Sequence, residues 1–199
     1  MIYRKYIKRI IDIVLSLVLT PFVLLLCVIV GPFIYWEDKG PIFYKAKRRG
    51  MNGKIYYMLK FRSMKINAPD FRNKDGSTFN SVDDVRITKV GKFLRKTSID
   101  EIPQILNVLK GDMSFIGPRA PIPKDGYEWE DLSELKQKRL QVRPGITGYS
   151  AALFRNSISA EEKLKKDCFY VDNISLLLDI KIVFWTIKTV LLRKNIYTN

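Results

Sequence analysis

From Ile13 to Trp36 the chain runs for 24 residues without a charge. As a helix that run would be about 36 Å long at ~1.5 Å per residue, enough to cross a ~30 Å hydrocarbon core. Its residues are apolar all round, so a membrane suits it better than the core of a soluble domain. A cleaved signal peptide fits poorly, because Tyr35-Trp36-Glu37-Asp38 follows where small residues would mark a cleavage site.

Two features complicate simple spanning. Arg4, Lys5, Lys8 and Arg9 precede the run, and Lys39, Lys45, Lys47, Arg48 and Arg49 follow it. Lys and Arg favour the cytoplasmic side, so both ends ask for the same side. Pro21 lies near the middle; it removes the amide that would reach the Leu17 carbonyl, while the Thr20 hydroxyl can satisfy a freed backbone group. From the residues alone, a helix that dips in and returns and a helix that spans are equally well supported.

The remaining chain has room for one domain. Its 199 residues carry a net charge of +15 and no His. That composition excludes Ser-His and Cys-His catalytic pairs and H-E-x-x-H zinc sites, and leaves the chemistry to carboxylates, Lys, Arg, Tyr, hydroxyls or the two cysteines. Cys27 falls in the apolar run and Cys168 in an amphipathic stretch, which suits a reducing compartment. The excess cations call for an anionic partner, which could be nucleic acid, anionic lipid or a phosphorylated substrate.

The pattern predicts mixed α/β structure, mostly helical, with one small β-hairpin. Residues 41–49 and 54–61 are its strands, around Gly50-Met51-Asn52-Gly53. Residues 67–86 read as a long surface loop and 88–97 as a short basic helix. A helix over 99–110 should stop at Gly111. Residues 112–126 and 143–158 read as irregular, and 128–141 as a charged helix. Ser159 and Glu162 form a capping box that starts the next helix, Asn173 ends it, and a very apolar helix covers 175–194. With Asp179, Lys181 and Lys188 in it, that last helix suits the membrane interface.

The stretch Lys92-Phe93-Leu94-Arg95-Lys96-Thr97-Ser98-Ile99-Asp100-Glu101-Ile102-Pro103-Gln104 is the most informative. Ser98 and Glu101 fit a capping box, whereas Pro103 would prefer Asp100 as the cap. Either register puts both carboxylates at a helix N-terminus, with Arg95 and Lys96 nearby. That field should keep Asp100 ionised and able to attack phosphorus. Ordinary first-turn acids would look the same, so the segment does not decide the matter by itself.

Further segments do. Lys60-Phe61-Arg62-Ser63-Met64 lies upstream. Gly111-Asp112-Met113-Ser114-Phe115-Ile116-Gly117-Pro118-Arg119, Arg143-Pro144-Gly145-Ile146-Thr147-Gly148, Arg155-Asn156 and Asp167-x-x-Tyr170-x-x-Asn173-x-Ser175-Leu176-x-x-Asp179 lie downstream. In this order and spacing they resemble the bacterial sugar transferase family, the monotopic phosphoglycosyl transferases, over nearly the whole chain. The resemblance implies a re-entrant membrane helix over residues 1–37, broken at Thr20-Pro21, and a cytoplasmic catalytic domain over 38–199 with membrane-interface helices.

It further implies an enzyme of the bacterial inner membrane that moves a sugar-1-phosphate from a UDP-sugar to polyprenyl (undecaprenyl) phosphate, releasing UMP. This would be the first membrane step of O-antigen, capsule, exopolysaccharide or glycoprotein synthesis. Asp100 would be the nucleophile and form a covalent phosphosugar intermediate, with Glu101 its partner. Asp100 and Glu101 would hold Mg²⁺. Arg95, Arg119 and Arg155 would hold phosphate groups. Lys60, Arg62, Arg143 and Asp167 are candidates for donor binding or structure. Membrane lipids are expected partners and nucleic acid is not; a homodimer is left open. Ala120 stands where the family commonly has Pro, and Tyr149-Ser150-Ala151-Ala152-Leu153-Phe154 stands where it often has polar residues; if the latter stretch touches the sugar or nucleotide, an unusual donor preference is expected.

Overall fold

The computed structural model describes residues 2–69, 71, 84–124, 126–154 and 157–191. A π-helical turn, Tyr3–Ile7, runs into a long helix, α1 (Lys8–Asp38), which stays helical through Pro21 and Pro32. The Thr20 hydroxyl donates to the Ser16 carbonyl at 2.7 Å, one turn before Pro21. Lys39, left-handed at φ 58°, closes the helix. The outward residues of α1 are exposed and apolar, among them Leu17, Val18, Leu24, Leu25 and Val28. Among the described residues this is the one helix long and apolar enough to cross a membrane.

Both ends of α1 are bonded to the same globular part. At the N-terminal end, Asp12 is buried and accepts from Ser114 Oγ and the Phe115 amide, each at 3.1 Å. Lys8 and Tyr3 donate to Asp179 at 2.7 and 2.5 Å, and the Tyr170 hydroxyl donates to the other oxygen of Asp179 at 2.7 Å. At the C-terminal end, Asp38 takes a two-pronged bond from Arg62, and Glu37 accepts the amides of Lys89 and Val90. Ile34 packs there with Phe61 and Leu94.

The hairpin forms as expected. Strands β1 (Phe43–Arg49) and β2 (Ile55–Phe61) pair antiparallel, with Ala46 opposite Met58 and Arg48 opposite Tyr56. One face of the hairpin supplies Ala46, Tyr56 and Met58 to a core shared with Val108, Met113 and Ala120. The basic helix α2 (Lys89–Thr97) starts at Thr88, whose side chain accepts the Gly91 amide. Gly91 lies so close to the Ser63 carbonyl that a Cβ would sit 2.0 Å from its oxygen. Of the predicted 67–86 loop, residue 70 and residues 72–83 lie outside the described residues.

Four expectations need correction. The capping box at Ser98 and Glu101 does not form: Ser98 adopts φ 58° and closes α2 through its amide, and its side chain caps nothing. A 3₁₀ turn, Ile99–Glu101, follows, and α3 (Gln104–Lys110) begins only after Pro103. The segments expected to be irregular contain two short parallel strands, β3 (Ser114–Ile116) and β4 (Gly145–Thr147). Their backbones approach so closely that a Cβ on Gly145 would lie 2.1 Å from Gly117 N, and one on Gly148 2.0 Å from Gly117 O. The charged helix shrinks to α4 (Glu134–Arg139), because the Asp131 carboxylate accepts the Glu128 amide and holds the preceding residues in a turn. A short helix, α5 (Tyr149–Phe154), occupies part of the stretch read as irregular.

Helix α6 (Ala160–Asp172) begins at the predicted Ser159–Glu162 capping box and ends at Asn173. Helix α7 (Leu176–Leu191) buries Ile182 against Ile116, Ala152 and Tyr170. Its other face leaves Leu177, Ile180, Phe184 and Ile187 exposed, a stripe at helical spacing. Residues 192–199, where the helix was expected to continue to 194, lie outside the described residues.

Asp179 ties the π-helical turn, α1, α6 and α7 together. Its replacement by Ala would take the acceptor from the Tyr3 phenol and the Lys8 ammonium and leave the Tyr170 phenol to the Ile116 carbonyl at 3.3 Å. We expect Asp179→Ala to cost about 3 kcal/mol, the loss typical of one broken buried ion pair, seen as a lower unfolding temperature in detergent.

Candidate functional site

The site is assembled on the face of the hairpin that meets α3. In β2 and β1, Lys60 and Arg48 share that face with Met58 and Ala46. Asn107 fixes α3 against this edge: its side chain donates to the Tyr57 carbonyl and accepts from the Leu59 amide, each at 2.8 Å. The 3₁₀ turn before α3 then presents Glu101 to Lys60, and the two ion-pair at 2.5 Å. Asp100, next to it, is 8 % exposed.

The two carboxyls lie in different fields. Burial pushes the Asp100 carboxyl up to about 6, Lys60 and Arg95 pull it down, and the neighbouring Glu101 charge raises it. Asp100 is therefore mostly ionised at neutral pH but poorly solvated, rather than held strongly anionic by a helix terminus as the sequence suggested. At Glu101 burial acts upward too, yet the Lys60 ammonium, then Arg119 and Arg48, hold the carboxyl below its ordinary value. The result is one firm anion beside one that sheds its proton near pH 6.

Of the residues singled out in the sequence, Lys60, Arg95, Asp100, Glu101 and Arg119 converge through these interactions. Arg95 is held by a bond from Nε to Ser63 Oγ at 2.9 Å, and the Arg119 side chain is exposed. Arg62 is buried elsewhere, with its donors on Asp38, Pro41 O, Met64 O and Ile34 O. Asp167 is buried, accepts from Ser150 Oγ at 2.6 Å and from the Arg119 backbone, and lies near Arg139. Arg143 bonds the Gly111 carbonyl at the far end of α3. Thr20 and Pro21 lie within α1. Arg155 lies outside the described residues.

Arg48, Asn107 and Asp12 escaped sequence reasoning. An Asn in the middle of the short apolar stretch Gln104–Lys110 is the signal that could have exposed Asn107, since such a residue must find partners when buried. Asp12, the last charge before the apolar run, could have been suspected for the same reason.

Among the described residues, no group of three or more His, Cys, Asp or Glu side chains could enclose a metal ion. The Asp100–Glu101 pair is nonetheless a fitting donor set for Mg²⁺, which takes one or two carboxylates and completes its shell with substrate phosphates and water.

A family model described as bacterial sugar transferase matches residues 3–193. The chain belongs to this family. It is 44% identical over 156 residues to an uncharacterized sugar transferase, EpsL, of Bacillus subtilis (strain 168), covering 78% of this chain and 73% of that one. It is 37% identical over 210 residues to the undecaprenyl-phosphate galactose phosphotransferase of Salmonella typhimurium, covering 97% of this chain but 42% of the relative. With the exopolysaccharide production protein ExoY of Sinorhizobium fredii it shares 36% identity over 96% of this chain and 88% of that one. The chain spans about two fifths of the length of several curated relatives it matches.

The raised Asp100 pKa has a sign that can be checked. An acid whose pKa is raised on folding weakens the fold where it is ionised, and this penalty vanishes below its unfolded value near 3.9. Asp100→Asn should therefore stabilise the protein by roughly 2–3 kcal/mol at pH 8 and by little at pH 4. Unfolding followed across that range is the measurement.

Proposed function

We propose that the protein transfers a sugar-1-phosphate from a UDP-sugar to a polyprenyl phosphate, with Asp100 as nucleophile. The observation that carries this reading is a buried carboxylate, Asp100, in the field of Lys60, Arg95 and Glu101, with Arg119 acting on the neighbouring Glu101. Supporting it are the family's membership and the printed name of the Salmonella relative.

An Asp100 oxygen attacks the donor's β-phosphorus. The bond from that phosphorus to the bridging oxygen breaks, and UMP leaves with the electron pair. An oxygen of the acceptor phosphate then attacks the same phosphorus and restores the Asp100 carboxylate. Nucleophile and acceptor are both already anionic, so a chain without His needs no general base for either step. Arg95 and Arg119 would offset charge on the phosphoryl oxygens. Lys60 keeps Glu101 ionised and lowers the pKa of Asp100. Mg²⁺, held by Asp100 and Glu101, would supply further positive charge to the donor phosphates.

Incubation with UDP-sugars and Mg²⁺ should release UMP, and Asp100→Asn should abolish the release. Turnover at the wild-type rate in that variant would remove Asp100 from the chemistry. The rate should fall as pH drops through about 6, where Asp100 takes up its proton.

For α1 we propose a re-entrant course with both ends on the cytoplasmic side. What supports it is that one globular domain bonds Lys8 and Asp12 at one end and Glu37 and Asp38 at the other. A helix crossing the bilayer would put its ends at opposite surfaces, where one domain could bond both only by lying within the ~30 Å hydrocarbon core itself. Ile2→Cys and Lys45→Cys, made without Cys27 and Cys168, should both react with an impermeant maleimide from the cytoplasmic face alone. Labelling from opposite faces would restore the spanning helix.

A further inference from the structure

Arg9 and Arg143 meet over Gly111, at the end of α3 that points away from Asp100, with about 10 Å of helix between at ~1.5 Å per residue. Arg9 donates to the carbonyls of Val108 and Leu109 at 2.6 and 2.9 Å. Arg143 Nε donates to the Gly111 carbonyl at 2.8 Å. Gly111 makes the approach possible: its φ is +96°, and a Cβ there would lie 3.2 Å from an Arg9 terminal nitrogen. Burial, and then the Arg143 charge, press the Arg9 pKa down, so two like charges are held together with partial solvation.

These cations line a cavity of about 70 Å³ together with Arg4, Lys8, Asp12 and Gln141. At the ~10–15 Å³ that one water needs, the space holds several water-sized groups, as the oxygens of a phosphate group are. The anions on hand do not balance the cations. Asp12 is engaged by Ser114 and Phe115, and Lys8 is engaged by Asp179. Among the described residues, no acceptor meets the two terminal nitrogens of Arg143, which leaves the planar fork that pairs with phosphate open. The cavity also has a defined height. Arg4, Lys8 and Arg9 come immediately before the uncharged run that starts at Ile13, which is the level of lipid headgroups.

We propose that this cavity binds a phosphate group, from a phospholipid headgroup or from a soluble phosphate, at a site separate from Asp100. The anion relieves the Arg9–Arg143 repulsion and fastens the base of α1 to the end of α3. Nothing in this assignment depends on turnover, so it stands or falls apart from the transferase reading.

Native mass spectrometry of the full chain in detergent tests it, with phosphatidylglycerol in one arm and inorganic phosphate in the other. Wild type should hold one adduct. Arg143→Gln should weaken it by roughly tenfold, as expected for loss of a charge-assisted pair. Gln141→Glu, which adds an anion to the lining, should weaken it similarly and decides the matter if Arg143→Gln fails to fold. Arg119→Gln should keep it. A phosphatidylglycerol adduct identifies a membrane lipid as the source, and an adduct with inorganic phosphate alone identifies a soluble one. An adduct missing from wild type, retained equally in Arg143→Gln and Gln141→Glu, or lost in Arg119→Gln would overturn the site.

Discussion

The pair that Asp38 makes with Arg62, at 2.5 and 2.6 Å, and the bonds that Asp12 accepts from β3 have to hold at the same time. Together they clamp the two ends of an apolar helix to one domain. An uncharged run and its charged flanks set only an approximate depth in a bilayer, because tilting and local thinning absorb mismatch at modest cost. Buried ionic contacts at both ends remove that freedom. Under the proposed re-entrant course, the site on α3 and the hairpin would sit at a set height relative to the membrane, where the proposed lipid-borne phosphate and water-borne nucleotide would meet.

The chain carries a net charge of +15, yet its two central carboxylates are treated differently. Glu101 has Lys60 at 2.5 Å and stays firmly ionised. Among the described residues Asp100 has no partner that close, and it sits in a drier place, so its charge is less comfortable. Burial leaves Asp100 poorly solvated, a condition that would suit the nucleophilic role proposed for it.

Elements with local causes were legible in the sequence. The hairpin, the Thr88-to-Thr97 helix, the Ser159 capping box and the stop at Gly111 each depend on residues within a few positions of one another. The failures share a different cause. β3 and β4 are three residues each and exist only because Gly117, Gly145 and Gly148 let distant backbones touch. Ser98 had the side chain of a cap but the backbone of a helix end. At the site, Asp100 and Glu101 were visible as a motif, but Lys60 as the partner of Glu101 required the fold, and Arg62 turned out to be joined to α1 through Asp38.

The contact among those three glycines has a practical side for anyone redesigning the enzyme. The loop ahead of Arg119 and the one ahead of Tyr149 meet atom against atom, with no side chain between them to absorb a change. Transplanting either loop from a relative to alter sugar choice would carry in a backbone path shaped for a different neighbour. The two segments, though far apart in the gene, are best exchanged as a single cassette.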